Sequence, residues 1–207
     1  MESDSPKSKS LTDGRALLSA SLEEHLACLK TLLDTKLDQI LQTGELICRT
    51  LIAGNKVLLC GNGGSAADAQ HIAAELVGRY ELHRRGWPAI ALTTDTSALT
   101  AISNDFGYAE VFARQVEALA ETNDLLIAIS TSGGSANIIR AVESAKGIGC
   151  KTIALAGGNG GSLASLCDYA LIVGSKRTAR VQEAHISIGH LWCEMVDTMP
   201  GGRSAKS

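Results

Sequence analysis

Aromatic side chains make up only 3% of this 207-residue chain, leaving few flat platforms on which unpaired bases could stack. Its formal charge is -3, so no excess of positive charge draws it to a phosphate backbone or an anionic membrane, and any basic site must be local. Neither nucleic acid nor membrane is an expected partner. No apolar run approaches the length of a membrane span, and the polar, Ser- and Lys-rich start lacks the apolar core of a signal peptide. The six cysteines (Cys28, Cys48, Cys60, Cys150, Cys167 and Cys193) form no CxxC pair and no zinc-module spacing. Several lie within apolar runs, where a thiol behaves as a small buried hydrophobe. A reduced, cytoplasmic protein is expected. Also missing are the lysine of a GxxxxGK[ST] loop and the GxGxxG turn with an acidic residue about 20 positions on, which disfavours a nucleotide against a smaller phosphate.

What is present is one short design used twice. Val57-Leu58-Leu59-Cys60 runs into Gly61-Asn62-Gly63-Gly64-Ser65, and Leu125-Leu126-Ile127-Ala128-Ile129 runs into Ser130-Thr131-Ser132-Gly133-Gly134-Ser135. Each apolar run stops at glycines and hydroxyls, and helical periodicity then resumes. Glycines relieve the steric limits on such a turn, and the first amides of the following helix are unpaired and partly positive, as a phosphate monoester requires. One such turn would read as ordinary helix capping; two together point to phosphate binding.

At 207 residues and 45% hydrophobic, the chain suits one domain with a sizeable core. Residues 1–12 and the Gly-Ser-Lys tail at 200–207 read as disordered, leaving a single domain over 13–199. Apolar residues recur at three and four spacings from Leu17 to Leu33 and from Leu37 to Ala53, which predicts two leading helices. Strands are then expected at Lys56 to Cys60, Pro88 to Leu92, Leu125 to Ser130, Lys151 to Ala156 and Tyr169 to Val173. Helices are expected at Ala66 to Arg79, near Ala98, and at Ala136 to Gly147, Leu163 to Leu166 and Val181 to Met199. This alternation implies a three-layer α/β fold with a doubly wound, five-stranded parallel sheet, both Gly/Ser turns lying beyond its carboxyl edge.

Two polar sets lie on helices near that edge. Asp68, His71 and Glu75 follow the first turn, and the i, i+4 pair His71/Glu75 can ligate a divalent ion or supply a carboxylate base with a neighbour to steady it. The last helix carries Gln182, Glu183, His185 and His190 among apolar neighbours; Gln182 and His190 lie about 80° apart around the axis and share a broad face. His185 reads as a solvent or packing histidine.

In four segments, GNGGSAADAQHIAAEL, LTTDTSALTAISNDFGY, ISTSGGSANIIRA and RVQEAHISIGH, the chain resembles the phosphoheptose isomerases of the sugar-isomerase (SIS) domain superfamily, over roughly Leu17 to Val196. The resemblance implies that Ser130, Thr131, Ser132 and Ser135 hold the phosphate, with Ser65 nearby, and that Asn62, Gly63 and Gly64 line the cleft. It further implies that Asn104 and Asp105 contact sugar hydroxyls, where the residues alone would read as a turn. His71, Glu75, Gln182 and His190 match the family's zinc ligands, one ion per subunit, with Glu75 and Gln182 also at the substrate and Glu75 and His190 as base and acid. A homotetramer acting on a phosphorylated heptose is implied as well. Some relatives carry an acidic residue three positions before the glutamine, where this chain has Ala179.

The chemistry so implied is aldose–ketose isomerisation through an enediol, with Glu75 moving the carbon-bound proton and His190 moving protons on oxygen. A carboxylate committed to zinc is a poorer base, so either Glu75 leaves the metal during turnover or the metal serves structure. Other readings stay open at this stage. One is a non-catalytic SIS module, either a sugar-phosphate sensor or a relative of the replication regulator DiaA; another is an isomerase of a different phosphosugar.

Overall fold

The computed structural model describes residues 11–199. The expected disordered segments therefore lie outside the described residues, apart from positions 11 and 12, whose backbone is already helical. Five strands, β1 (Val57–Gly61), β2 (Ala89–Ala91), β3 (Leu125–Ser130), β4 (Lys151–Gly157) and β5 (Tyr169–Val173), form one parallel sheet in the order β2-β1-β3-β4-β5. Every residue of β1 and β3 is buried, which explains their unbroken apolar runs: parallel strands are covered on both faces.

The two coverings make two cores. Val57 and Leu59 of β1 face the helices α1 (Leu11–Thr35), α2 (Leu37–Ile52), α3 (Gly64–Val77) and α8 (Thr178–Thr198). Leu58 and Cys60 face the other layer, α4 (Thr96–Phe106), α5 (Ala113–Leu119), α6 (Ala136–Ile148) and α7 (Gly161–Leu166). The three-layer, doubly wound α/β sheet with two leading helices is thus present. Among the described residues, no helix is long and apolar enough to cross a membrane.

Two differences from the sequence reading have local causes. Helix α4 continues through Asn104 and Asp105 rather than opening into a loop there, and stops at Gly107, whose φ of 88° no ordinary residue adopts at ease. After it, a 3-10 turn at Tyr108–Glu110 leads into the unanticipated α5. That segment is held by buried Val111, Phe112 and Val116 and by Gln115, whose amide donates to the carbonyls of Leu92 (3.0 Å) and Val111 (2.8 Å).

Candidate active site

Strand order reverses between β1 and β3, so the turns after them, 62–65 and 131–135, open side by side into one crevice, where ligands of such sheets bind. The turns are not equivalent. In the first, the amides of Ser65, Ala66 and Ala67 donate to the carbonyls of Asn62, Gly63 and Gly63, while those of Gly63 and Gly64 donate to none of the turn's carbonyls. In the second, the amides of Thr131, Ser132, Ser135 and Ala136 donate to none of the turn's carbonyls. Both turns therefore keep amides that donate to no turn carbonyl, and the second adds the hydroxyls of Thr131, Ser132 and Ser135 beside them.

The hydroxyls of the second turn divide by depth. Ser130 is buried; its Oγ accepts from the Gly133 amide (3.2 Å) and shares a hydrogen bond with Ser135 Oγ (3.1 Å), so it shapes the turn from beneath. Ser132 is exposed and accepts the Gly134 amide at 3.2 Å, while Thr131 and Ser135 are half-buried at the rim. Gly133 has φ 65°, and a Cβ there would lie 2.0 Å from the Gly160 carbonyl oxygen, so the turn sits directly on the loop after β4.

The first turn is tied to the second by a reciprocal amide pair. Asn62 Nδ2 donates to Asn137 Oδ1 (2.9 Å), and Asn137 Nδ2 donates back to Asn62 Oδ1 (2.8 Å). Tyr108 Oη donates to the same Asn62 oxygen at 3.0 Å, bringing the segment that follows Asn104 and Asp105 to the crevice mouth. Asn104 and Asp105 are exposed, the amide of one donating to the carboxylate of the other at 2.8 Å. Asn137 and Tyr108 are neighbours of the site that spacing alone did not single out; both occur beside motif residues, at a helix start and after Gly107.

Helices α3 and α8 run alongside each other, and glycines permit the approach. A Cβ on Gly64 would meet the Gln182 amide nitrogen at 2.3 Å, and one on Gly189 would meet Ile72 Cδ1 at 2.6 Å. Gln182 thus lies over the first turn, and His190 reaches His71: their Nε2 atoms are 2.9 Å apart, and His71 Nε2 is 3.4 Å from Glu75 Oε1. His71 is the hub on which Glu75 and His190 converge. Gln182 hydrogen-bonds to none of the three. In donor type, imidazole nitrogen with carboxylate oxygen, the three fit zinc. Among the described residues, however, no group of three or more His, Cys, Asp or Glu side chains is gathered as a metal-holding set.

Two further titratable groups lie on these helices. Burial raises the Asp68 carboxyl to about 6 against a lowering pull from His71, and one of its oxygens is buried without a hydrogen bond. His185 is wholly buried rather than facing solvent, with neither ring nitrogen hydrogen-bonded.

Comparison with known proteins bears directly on this geometry. The SIS domain family model matches residues 22–157. A phosphoheptose isomerase of Aliarcobacter butzleri (strain RM4018) is 56% identical over 182 residues, 86% of this chain and 96% of that protein. One of Helicobacter pylori (strain P12) is 54% identical over 84% of this chain and 90% of its own length. The chain belongs to the phosphoheptose isomerase family of SIS-domain proteins.

The fold agrees with solved members. The phosphoheptose isomerase of Neisseria gonorrhoeae superposes with a TM-score of 0.85 at 43% identity, covering 89% of this chain and 99% of that one. That of Francisella tularensis gives 0.87 at 37% identity, covering 90% and 99%. The segments that carry the phosphoheptose isomerase resemblance are thus the ones that fold around the crevice: both strand-end turns, the stretch ending at Tyr108, and the α8 segment bearing Gln182 and His190.

Proposed function

We propose that this protein converts sedoheptulose 7-phosphate to D-glycero-D-manno-heptose 7-phosphate, the first step towards a nucleotide-activated heptose. The observation that carries it is the meeting of Glu75, His71 and His190 beside a turn with free amides and hydroxyls. The phosphate is held by the second turn, with Thr131, Ser132 and Ser135 donating from its rim, and the sugar extends past Asn62 towards the α3–α8 seam. Glu75 takes the proton from C1, beside the ketone, and the enediol that results receives a proton at C2. His190 carries a proton from O1 to O2. The N–H···N contact requires one ring to bring a proton on Nε2 and the other a lone pair, so the two histidines can pass a proton between them. Each of the two groups is worth about 10²- to 10⁴-fold in rate.

Zinc is part of this proposal, with His71, Glu75, His190 and Gln182 as the residues that would hold it. When bound, the ion would supply electrophilic polarisation of the carbonyl. A cytoplasmic homotetramer is proposed too. In support, α1 exposes Leu18, Leu22, Leu26 and Leu33 along one side, each more than 60% accessible, a stripe that a second copy of the chain would cover.

The test is proton NMR of sedoheptulose 7-phosphate in deuterium oxide, with wild type, Glu75→Gln and His190→Ala, before and after chelation and zinc addition. An aldose carrying deuterium at C2, formed by wild type and lost in both variants, is the expected result. No conversion by folded wild type under any metal condition sinks the heptose substrate, and turnover unchanged by chelation removes zinc from the chemistry.

A further inference from the structure

Arg84 belongs to none of the motifs above, yet it is buried at the far end of the seam that carries the reacting groups. Its side chain is 1% exposed, and that of its partner Asp197 is 3% exposed. Nε donates to Asp197 Oδ1 (2.6 Å), Nη1 to the carbonyls of Leu76 (2.9 Å) and Arg85 (3.2 Å), and Nη2 to the carbonyl of Glu75 (2.8 Å). Asp197 Oδ2 in turn accepts the amides of Glu81 (2.8 Å) and Leu82 (2.7 Å).

We propose that Arg84, clamped by Asp197, is a positioning residue that sets Glu75 on α3 against His190 on α8. The last carbonyls of a helix have no partner within it, and water would satisfy those of α3 equally well without fixing the helix to anything. Arg84 instead spans from the Glu75 and Leu76 carbonyls to a carboxylate on α8. Asp197 follows His190 by seven residues and so lies on the same side of α8. One planar guanidinium therefore joins the backbone of the base to the helix of the acid, and the loop 78–88 between them is fastened to the same carboxylate. A lysine cannot reproduce this fork, because its single nitrogen lacks the guanidinium's spread of donors. A misplacement of about 1 Å at a reacting pair costs on the order of 100-fold in rate, and the contacts at stake are the 2.9 Å and 3.4 Å separations around His71.

This inference rests on the assignment of Glu75 and His190 as base and acid, and its test has a readout that needs no turnover. Full-length wild type, Arg84→Lys and the isosteric Asp197→Asn are compared by circular dichroism, by kcat and KM on sedoheptulose 7-phosphate, and by long-range proton–nitrogen spectra of the histidine rings without substrate. Folded variants are expected to lose about 10- to 100-fold in kcat with KM within about threefold, and the ring signals of His71 and His190 are expected to move while those of His25 hold. Unmoved His71 and His190 signals, or an unchanged kcat in a folded variant, overturn the clamp, as does a loss confined to KM. If wild type leaves the heptose untouched, the substrate assignment fails by itself and the ring spectra still decide the clamp.

Discussion

Acid should unfold this protein partly through one histidine that the reaction does not use. His185 is wholly buried and has no hydrogen-bond partner for either ring nitrogen. Burial lowers its pKa from 6.5 to about 4, with the Ala156 backbone pulling the other way. The unfolded chain takes up this proton as pH falls through about 6.5, but the folded protein resists until about 4, so stability drops across that window and the loss is complete below it. Each decade in a proton equilibrium is worth about 1.4 kcal/mol, so the penalty approaches about 3.5 kcal/mol and has reached about 2.5 kcal/mol at pH 4.5. The assay is urea unfolding of wild type and His185→Leu at pH 7.5 and pH 4.5, at matched protein concentration. Other groups titrate in the same range. Asp68, raised to about 6 by burial, acts in the opposite sense; Asp197, where the Leu82 amide, Arg84 and the Glu81 amide outweigh burial and hold the carboxyl low, acts in the same sense as His185. Both are common to the two proteins and cancel in the difference. Wild type should therefore lose about 2.5 kcal/mol more than the variant between the two pH values. At pH 7.5 the variant should be no less stable, because it removes polar atoms that gain nothing in the fold. Parallel losses in the two proteins would refute the reasoning.

Three substitutions probe the crevice. Gly133→Ala forces a left-handed backbone and places a Cβ 2.0 Å from the Gly160 carbonyl oxygen, where backbone meets backbone; thermal melting should show a loss of about 3 kcal/mol or more. Gly64→Ala meets only the movable end of Gln182, so melting should change little while kcat/KM on the heptose phosphate falls at least about tenfold, the scale of a displaced binding group. Ser132→Ala should raise KM about tenfold with little change in melting, the loss of about 1.5 kcal/mol expected for one hydrogen bond to an anion. Ser130→Ala should instead show up mainly in melting, since its hydroxyl is occupied by Gly133 and Ser135. If the two serines behave alike in steady-state kinetics and melting, the division by depth is wrong.

How far the sequence discloses this site depends on whether a feature is local. The strands β3 and β5 are legible to the residue: β3 is buried on both faces, which leaves an apolar run with no alternation to misread, and the half-buried edge strand β5 is an apolar run bounded by Asp168 and Gly174. The pair His71/Glu75 is legible as well, since helical spacing alone places the two on one face. The segment of α5 is not, because its buried anchors, Val111, Phe112 and Val116, span too few residues to establish a period. The difference between the two Gly/Ser turns is likewise hidden: both have the composition of a phosphate cradle, and only the path of the chain, with Gly63 at φ 54° ahead of α3 and Ser135 extended ahead of α6, decides which amides remain free.

The contact that makes the site chemical lies furthest from view. His71 and His190 are 119 positions apart, and nothing in either helix taken singly predicts a 2.9 Å approach. It depends on α3 and α8 packing closely along their length, and the residues that allow this are Gly64 and Gly189, which lie where a methyl group would strike the opposite helix. The glycines of this chain thus do two physically different things. At Gly133 the requirement is a backbone conformation together with a close approach to Gly160, and at Gly64 and Gly189 it is the absence of a side chain alone. A single sequence writes both with the same letter, so the turns could be read as turns, whereas the seam that brings Glu75, His71 and His190 together becomes visible only once the two helices are seen side by side.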